Sequence, residues 1–150
     1  MIICAVDIGI KNPAYCVFNY ENGILELLEI EKSDWSNNWE KAVSMDVSKF
    51  TPDIVLLEKQ GFKSPNSKFI YFIKGLFYNT NTKVIIRNPT FKGGSYAKRK
   101  KLSIETFIEK IPEYSGSKSD ILNKYKKLDD IADSFNLGIS YIEKELKSVK

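Results

Sequence analysis

Apolar residues in this chain fall first into short uninterrupted runs and only later into helical spacing. Ile2-Ile3-Cys4-Ala5-Val6 closes on Asp7, and Ile54-Val55-Leu56-Leu57 closes on Glu58. Runs of this length, apolar without alternation, predict strands covered on both faces of a sheet. Residues 14–20 predict a second strand, Glu21-Asn22-Gly23 a hairpin turn, and Ile24–Glu31 a third strand, so three antiparallel strands open the fold. Residues 83–87 predict a fifth.

Spacings of three and four mark the helices. Ser36 or Asn37 is a candidate cap for a helix to about Ser48, with Trp39, Ala42, Val43 and Met45 inward and Thr51-Pro52-Asp53 ending it. Pro65-Asn66-Ser67 opens a helix to about Tyr78 that is apolar nearly all round. Such a helix predicts burial on two sides, in the core or against another subunit. After Gly93-Gly94, a helix from Ala97 to Lys110 points Leu102, Ile104, Phe107, Ile108 and Ile111 inward, and Pro112–Lys118 reads as a loop. A last helix from about Asp120 to Leu146, with a candidate break at Lys126, carries the stripe Leu128, Ile131, Ala132, Phe135, Ile139 and Ile142. The order β-β-β-α-β-α-β-α-α places the chain in the α/β class, with a mixed five-stranded sheet flanked by helices in one domain over residues 1–150.

Composition changes this picture little, since 43% hydrophobic residues in a chain of 150 is ordinary for a folded domain. No apolar run is long enough for a membrane span, and Asp7 and Lys11 interrupt any signal-peptide core. Two cysteines, Cys4 and Cys16, fall in adjacent expected strands and read as buried thiols, which fits an intracellular, reducing setting. Charge is more informative. The formal net charge is +4, yet Lys92–Lys101 alone holds five positive and no negative residues. A solvated face is the ordinary explanation of such a cluster; a phosphodiester surface is the other.

Candidate chemistry lies in the acids. The chain has no histidine, which excludes a Ser-His-Asp triad and the usual His-containing zinc sites. Asp7 and Glu58 end buried strands, where a carboxylate is costly unless paired or bound to metal. Asp130 and Asp133 stand one turn apart beside the stripe of the last helix. Oxygen-only ligands brought together from three elements suit hard cations such as Mg²⁺ or Mn²⁺. Each acid also has a plainer role: Asp7 in a turn, Glu58 paired with Lys59 or Lys63, and Asp130 and Asp133 on a solvated helix start. Asp129 rivals Asp130, because 129 and 133 are also helical neighbours.

Three segments together carry a resemblance. Asp7-Ile8-Gly9-Ile10-Lys11-Asn12, the glycine-lysine segment around Lys98–Lys101, and Lys127-Leu128-Asp129-Asp130-Ile131-Ala132-Asp133, with Glu58-Lys59-Gln60 between them, resemble the RuvC-like branch of the ribonuclease-H-like nucleases. The likeness is to the poxvirus Holliday junction resolvases and covers essentially the whole chain. The Asp-x-Gly start is shared with sugar kinases and actin-like ATPases, but those have two such domains and are much longer.

The resemblance implies a ribonuclease-H-like fold and a dimeric, metal-dependent endonuclease that resolves four-way junctions. Asp7, Glu58, Asp130 and Asp133 would hold two Mg²⁺ ions about 4 Å apart, with Mn²⁺ as a substitute. One ion would activate water and the other stabilise the leaving 3′ oxygen, giving 5′-phosphate and 3′-hydroxyl ends. A lysine at the start of the helix after the fifth strand would sit near the scissile phosphate; among Lys98, Lys100 and Lys101, Lys100 fits best. Lys11, Lys59, Lys63, Lys98, Arg99 and Lys101 would bind DNA. Phe62, between Lys59 and Lys63, would stack on bases or wedge between them, unless it anchors its loop. A homodimer would supply two opposed sites for paired symmetric nicks, with the helix near residues 69–78 a candidate interface. Concatemeric viral DNA and cytoplasmic replication sites are implied only in this way. A ribonuclease-H-type hybrid nuclease and a non-catalytic DNA-binding module are the competing readings.

Overall fold

A computed structural model of the chain describes residues 1–114 and 118–147. Five strands form one sheet in the order β3-β2-β1-β4-β5. β1 (Ile2–Asp7), β2 (Ala14–Glu21) and β3 (Ile24–Lys32) are an antiparallel meander, while β4 (Ile54–Glu58) and β5 (Lys83–Arg87) run parallel to β1. The tight turn joining β2 and β3 uses the left-handed backbone of Asn22 (φ 53°) and Gly23 (φ 78°), as an Asn-Gly hairpin requires.

Alternation along the central strands sends side chains to two cores. Ile3, Ala5, Cys16, Phe18, Ile54 and Leu56 meet α3 (Tyr96–Lys110) and α5 (Asp129–Tyr141) through Phe107, Ile131, Phe135 and Ile139. Cys4, Val6, Val17, Val55 and Leu57 meet α1 (Trp39–Ser48) and α2 (Ser67–Leu76) through Val43, Val47, Phe69 and Ile73, with Trp35 beneath. Cys4 and Cys16 are free and buried on opposite faces, so the pleat keeps them apart. Burial pushes both thiols up, Cys16 to about 12.

Several expectations change. α1 is not capped by Ser36 or Asn37; Asn38 precedes it in the left-handed region (φ 48°), and Ser36 hydrogen-bonds Asp34. Met45 points outward, because Trp39, Val43 and Val47 define the inner stripe and Met45 lies on the far side. α2 buries one face only: Phe69 and Ile73 are inside while Tyr71 is exposed, as is Tyr78 in the turn after the helix. Leu102 is exposed because the inward row of α3 is Ser103, Phe107 and Ile111. The loop expected over Pro112–Lys118 contains a 3-10 turn at Ile111–Glu113, and α4 (Lys118–Lys124) begins at its end; residues 115–117 lie outside the described residues. The last helix breaks where Lys126 suggested, and α5 continues as a wider π-type segment over Ile142–Leu146.

α5 lies close on the sheet because Gly138 faces Phe18. A Cβ added at Gly138 would fall 2.3 Å from the Cε2 atom of Phe18, which is itself fully buried against Phe135. Gly138→Ala should therefore lift the helix or displace the ring, costing about 1–3 kcal/mol or more. Chemical denaturation would read this as a lower midpoint; an unchanged midpoint would mean that the helix does not depend on the close approach.

Candidate functional site

The pleat and the register build a row across the sheet. On β1 the residues facing α5 are Ile3 and Ala5, so the next is Asp7; on β4 they are Ile54 and Leu56, so the next is Glu58. Val6 pairs with Leu57, which sets Asp7 beside Glu58 one step further on. In register, Asp7 also opposes Ala14, Ala14 opposes Lys32, and Glu58 opposes Arg87. At the edge where β1, β4 and β5 all end, two acids are thus flanked by cations on the outer strands.

α5 brings the other acids over this row. Its apolar side, Ile131, Ala132, Phe135 and Ile139, packs on the same face, and Asp129, Asp130 and Asp133 sit in its first turns. The resulting crowding shows in the protonation equilibria. Burial, then the charges of Asp133 and Asp130, hold the Asp7 carboxyl well above the usual carboxylate range. Burial and Asp133 push Glu58 up, and burial and Asp129 push Asp130 up. The charges that act on Asp7 are thus those of Asp133 and Asp130 as well as that of Glu58.

Lys100 is the counter-charge. Its Nζ donates to Asp133 Oδ2 at 2.8 Å and lies 3.6 Å from Asp129 Oδ2, with the ring of Tyr96 at 5.5 Å. Burial pulls this ammonium down, but the Asp133 contact outweighs it and the group stays charged. Lys98 is exposed with its chain along Gly94, and Lys101 pairs with Glu105, at 3.9 Å. Of the three candidate lysines, Lys100 is thus the one inside the acidic cluster. Cations at the start of a helix oppose its macrodipole. Helix stability does not explain Lys98–Lys101.

Asp133 is oriented from behind. Asn136 donates to Ser103 Oγ at 3.1 Å and to the Ser103 carbonyl at 3.0 Å, which leaves the Ser103 hydroxyl proton to donate to Asp133 Oδ1 at 2.6 Å. Among the described residues, Asp130 Oδ2 has no hydrogen-bond partner and lies 3.6 Å from Lys32 Nζ, and Asp129 Oδ1 is also buried without a partner. Sequence reasoning missed Ser103, Asn136 and Lys32. A serine in the inward row of α3 and an asparagine between Phe135 and Leu137 were signals of a kind; Lys32 offered none.

The remaining candidates line the rim. Lys11 follows β1, Lys59, Phe62 and Lys63 follow β4, and Lys98, Arg99 and Lys101 follow β5, so all leave the sheet at its carboxyl-terminal edge. Lys11, Lys59, Lys63, Lys98 and Lys101 are exposed and Arg99 is partly buried. Phe62 is 98% exposed, which removes the loop-anchor role. Neither Lys59 nor Lys63 forms an ion pair with Glu58 among the described residues. A cavity of about 220 Å³ opens between Glu58, Lys100 and Asp133 on one side and Phe91, Tyr96 and Arg99 on the other.

Among the described residues, no three acidic side chains are drawn closely enough to cage an ion. Glu58, Asp133 and Lys100 line one cavity, and the charges of Asp133 and Asp130 act on the buried Asp7 beside it. The donors still suit a hard cation: all are oxygens, one Asp130 oxygen is unsatisfied, and the acids repel one another. No helix of the described residues is long and apolar enough to cross a membrane.

A consequence follows for metal-free protein. Asp7 takes up protons more readily folded than unfolded, so the native state binds more protons and stability falls as pH rises from about 4 through the raised folded value. In chelator, Asp7→Asn should raise the melting temperature near neutral pH, with the gain vanishing toward pH 4. Each ~1 kcal/mol relieved is worth about 2–4 °C. Mg²⁺ should stabilise the wild type and not the variant. Calorimetry across pH checks this, and a variant less stable at every pH would contradict it.

The model of the Poxvirus A22 protein family matches residues 1–146. A Holliday junction resolvase of fowlpox virus is 69% identical, with 100% of this chain and 97% of that protein aligned. Resolvase OPG149 of vaccinia virus is 45% identical over 94% of this chain and 75% of its own length. A crystal structure of fowlpox virus resolvase with its substrate Holliday junction DNA superposes with a TM-score of 0.94, at 69% identity over 97% of this chain and 99% of that one. RuvC of Thermus thermophilus superposes with a TM-score of 0.57 at 16% identity, over 95% and 96%, which shows a shared ribonuclease-H-like fold. Sequence and architecture agree, and the chain belongs to the Poxvirus A22 protein family.

Proposed function

We propose that this protein is a divalent-metal-dependent endonuclease that resolves four-way DNA junctions by paired symmetric nicks. The observation that carries the reading is the meeting of Asp7, Glu58, Asp130 and Asp133 around Lys100 at a sheet edge ringed by cations. The fowlpox relative, named a Holliday junction resolvase, supports the choice of substrate.

Asp7, Glu58, Asp130 and Asp133 would hold two Mg²⁺ ions, replaceable by Mn²⁺. Bound there, the ions would supply a nucleophile at neutral pH and charge compensation for in-line displacement at phosphorus, leaving 5′-phosphate ends. Asp133 keeps its orientation through Ser103 and Asn136. Lys100 leaves Asp133 for the scissile phosphate, where its charge meets the negative charge that develops. Lys11, Lys59, Lys63, Lys98, Arg99 and Lys101 hold the backbone, and Phe62 stacks at the branch point. Two copies present opposed sites, and the side of α2 that exposes Tyr71, continued by Tyr78 beyond its end, is the face offered to the second copy. The biological substrate is branched, concatemeric viral DNA in the host cytoplasm.

Cleavage of a labelled four-way junction in Mg²⁺, beside linear duplex and RNA–DNA hybrid, tests this. Symmetric nicks are expected on the junction alone. Asp130→Asn should abolish them, and Lys100→Met should slow them about 10²–10³-fold, both with junction binding retained. Cutting of the hybrid instead would move the assignment to a ribonuclease. Tight junction binding without cleavage would leave a DNA-binding module.

A further inference from the structure

The row that carries Asp7 and Glu58 ends in Arg87, on the same face and one strand beyond Glu58. The guanidinium lies 5.3 Å from the ring centre of Tyr141 and 3.4 Å from Glu145 Oε1. Its side chain is 19% exposed. The guanidinium lies over the Tyr141 ring, while its anionic partner is a half-exposed glutamate that it reaches through one long hydrogen bond. Such a surface pair is weak, and a phosphate offers a stronger, charge-assisted bond.

Arg87 borders a cleft of about 550 Å³, lined also by Asn88, Thr90, Lys92, Ser140 and Lys144. Three cations and three uncharged hydrogen-bonding groups face it, and its described lining includes no acid. Pro89 and Thr90 line both this cleft and the smaller cavity that holds Glu58, Lys100 and Asp133. The two are therefore adjoining stretches of one surface, acidic at the reaction centre and basic beyond it. A strand whose phosphate lies among the acids needs compensation for its neighbouring phosphates, and cations along the path supply it.

Resting on the nuclease reading, we propose that this cleft is a phosphodiester track. Arg87, Lys92 and Lys144 bind backbone phosphates of the DNA strand as it leaves the reaction centre over Pro89 and Thr90, and Arg87 exchanges Glu145 for phosphate. Glu145 thereby acts as a competing anion that weakens non-productive binding.

Anisotropy titrations of a labelled four-way junction and of linear duplex, in EDTA and from about 50 to about 200 mM salt, test the track. The double variant Lys92→Ala/Lys144→Ala should flatten the dependence of log affinity on log salt by about two, and Arg87→Met by about one. Glu145→Gln should tighten binding. The lysine pair is exposed, so a loss confined to Arg87→Met, where the contact with Tyr141 also goes, would count against the track. Unchanged slopes with junction preference intact would overturn the track alone. Flattened slopes in a protein that nicks neither junction nor duplex in Mg²⁺ would support the track and overturn the resolvase reading.

Discussion

Mutual repulsion among carboxylates at the edge where the parallel strands end is the constraint around which the structure is arranged. Period-two alternation puts Asp7 and Glu58 on one face, and α5 lays Asp130 and Asp133 across them, partly out of water. Such a cluster is unfavourable by itself. Lys100 offsets it from α3 and Lys32 from β3, and neither satisfies every oxygen. The folded chain thus holds an unmet demand for positive charge at one place. Much else serves the placement of α5: Gly138 admits it close to Phe18, and Ser103 takes a core position on α3 in order to hold Asp133.

The parts of this arrangement differ in how plainly they are written in the chain. β1 and β4 are legible because strands covered on both faces must be apolar at every position, and the acids that close them stand out for that reason. The stripe of α5 is legible from its spacing. Helix faces elsewhere are not, since apolar side chains at neighbouring positions leave the phase open. Met45 and Leu102 are outside because Val47 and Ser103 hold the inward places, and only docking against β-strands far away in sequence decides that. Asp129 and Asp130 show the same limit at the site itself. They are one residue and about a quarter of a turn apart, and it is the seating of α5 that turns Asp130 toward Lys32 and Asp129 toward Lys100 and Lys127.

Long-range polar contacts were the least visible. Nothing near Lys32 suggests that the end of β3 serves an acid on the last helix. The link exists because register carries Lys32 into the same row as Asp7. That row also explains why the loops rich in cations sit beside the acids. Three parallel strand ends share an edge, and each of the loops leaving it carries basic residues. The acids of the cluster and the cations of the rim are brought together by topology, with little help from local sequence.

The most direct test of the central claim is the location of Mn²⁺ by anomalous scattering in crystals grown with the ion. The account predicts density among Asp7, Glu58, Asp130 and Asp133, with Lys100 released from Asp133. Mn²⁺ bound elsewhere, or a Lys100–Asp133 pair unchanged at saturating ion, would contradict it.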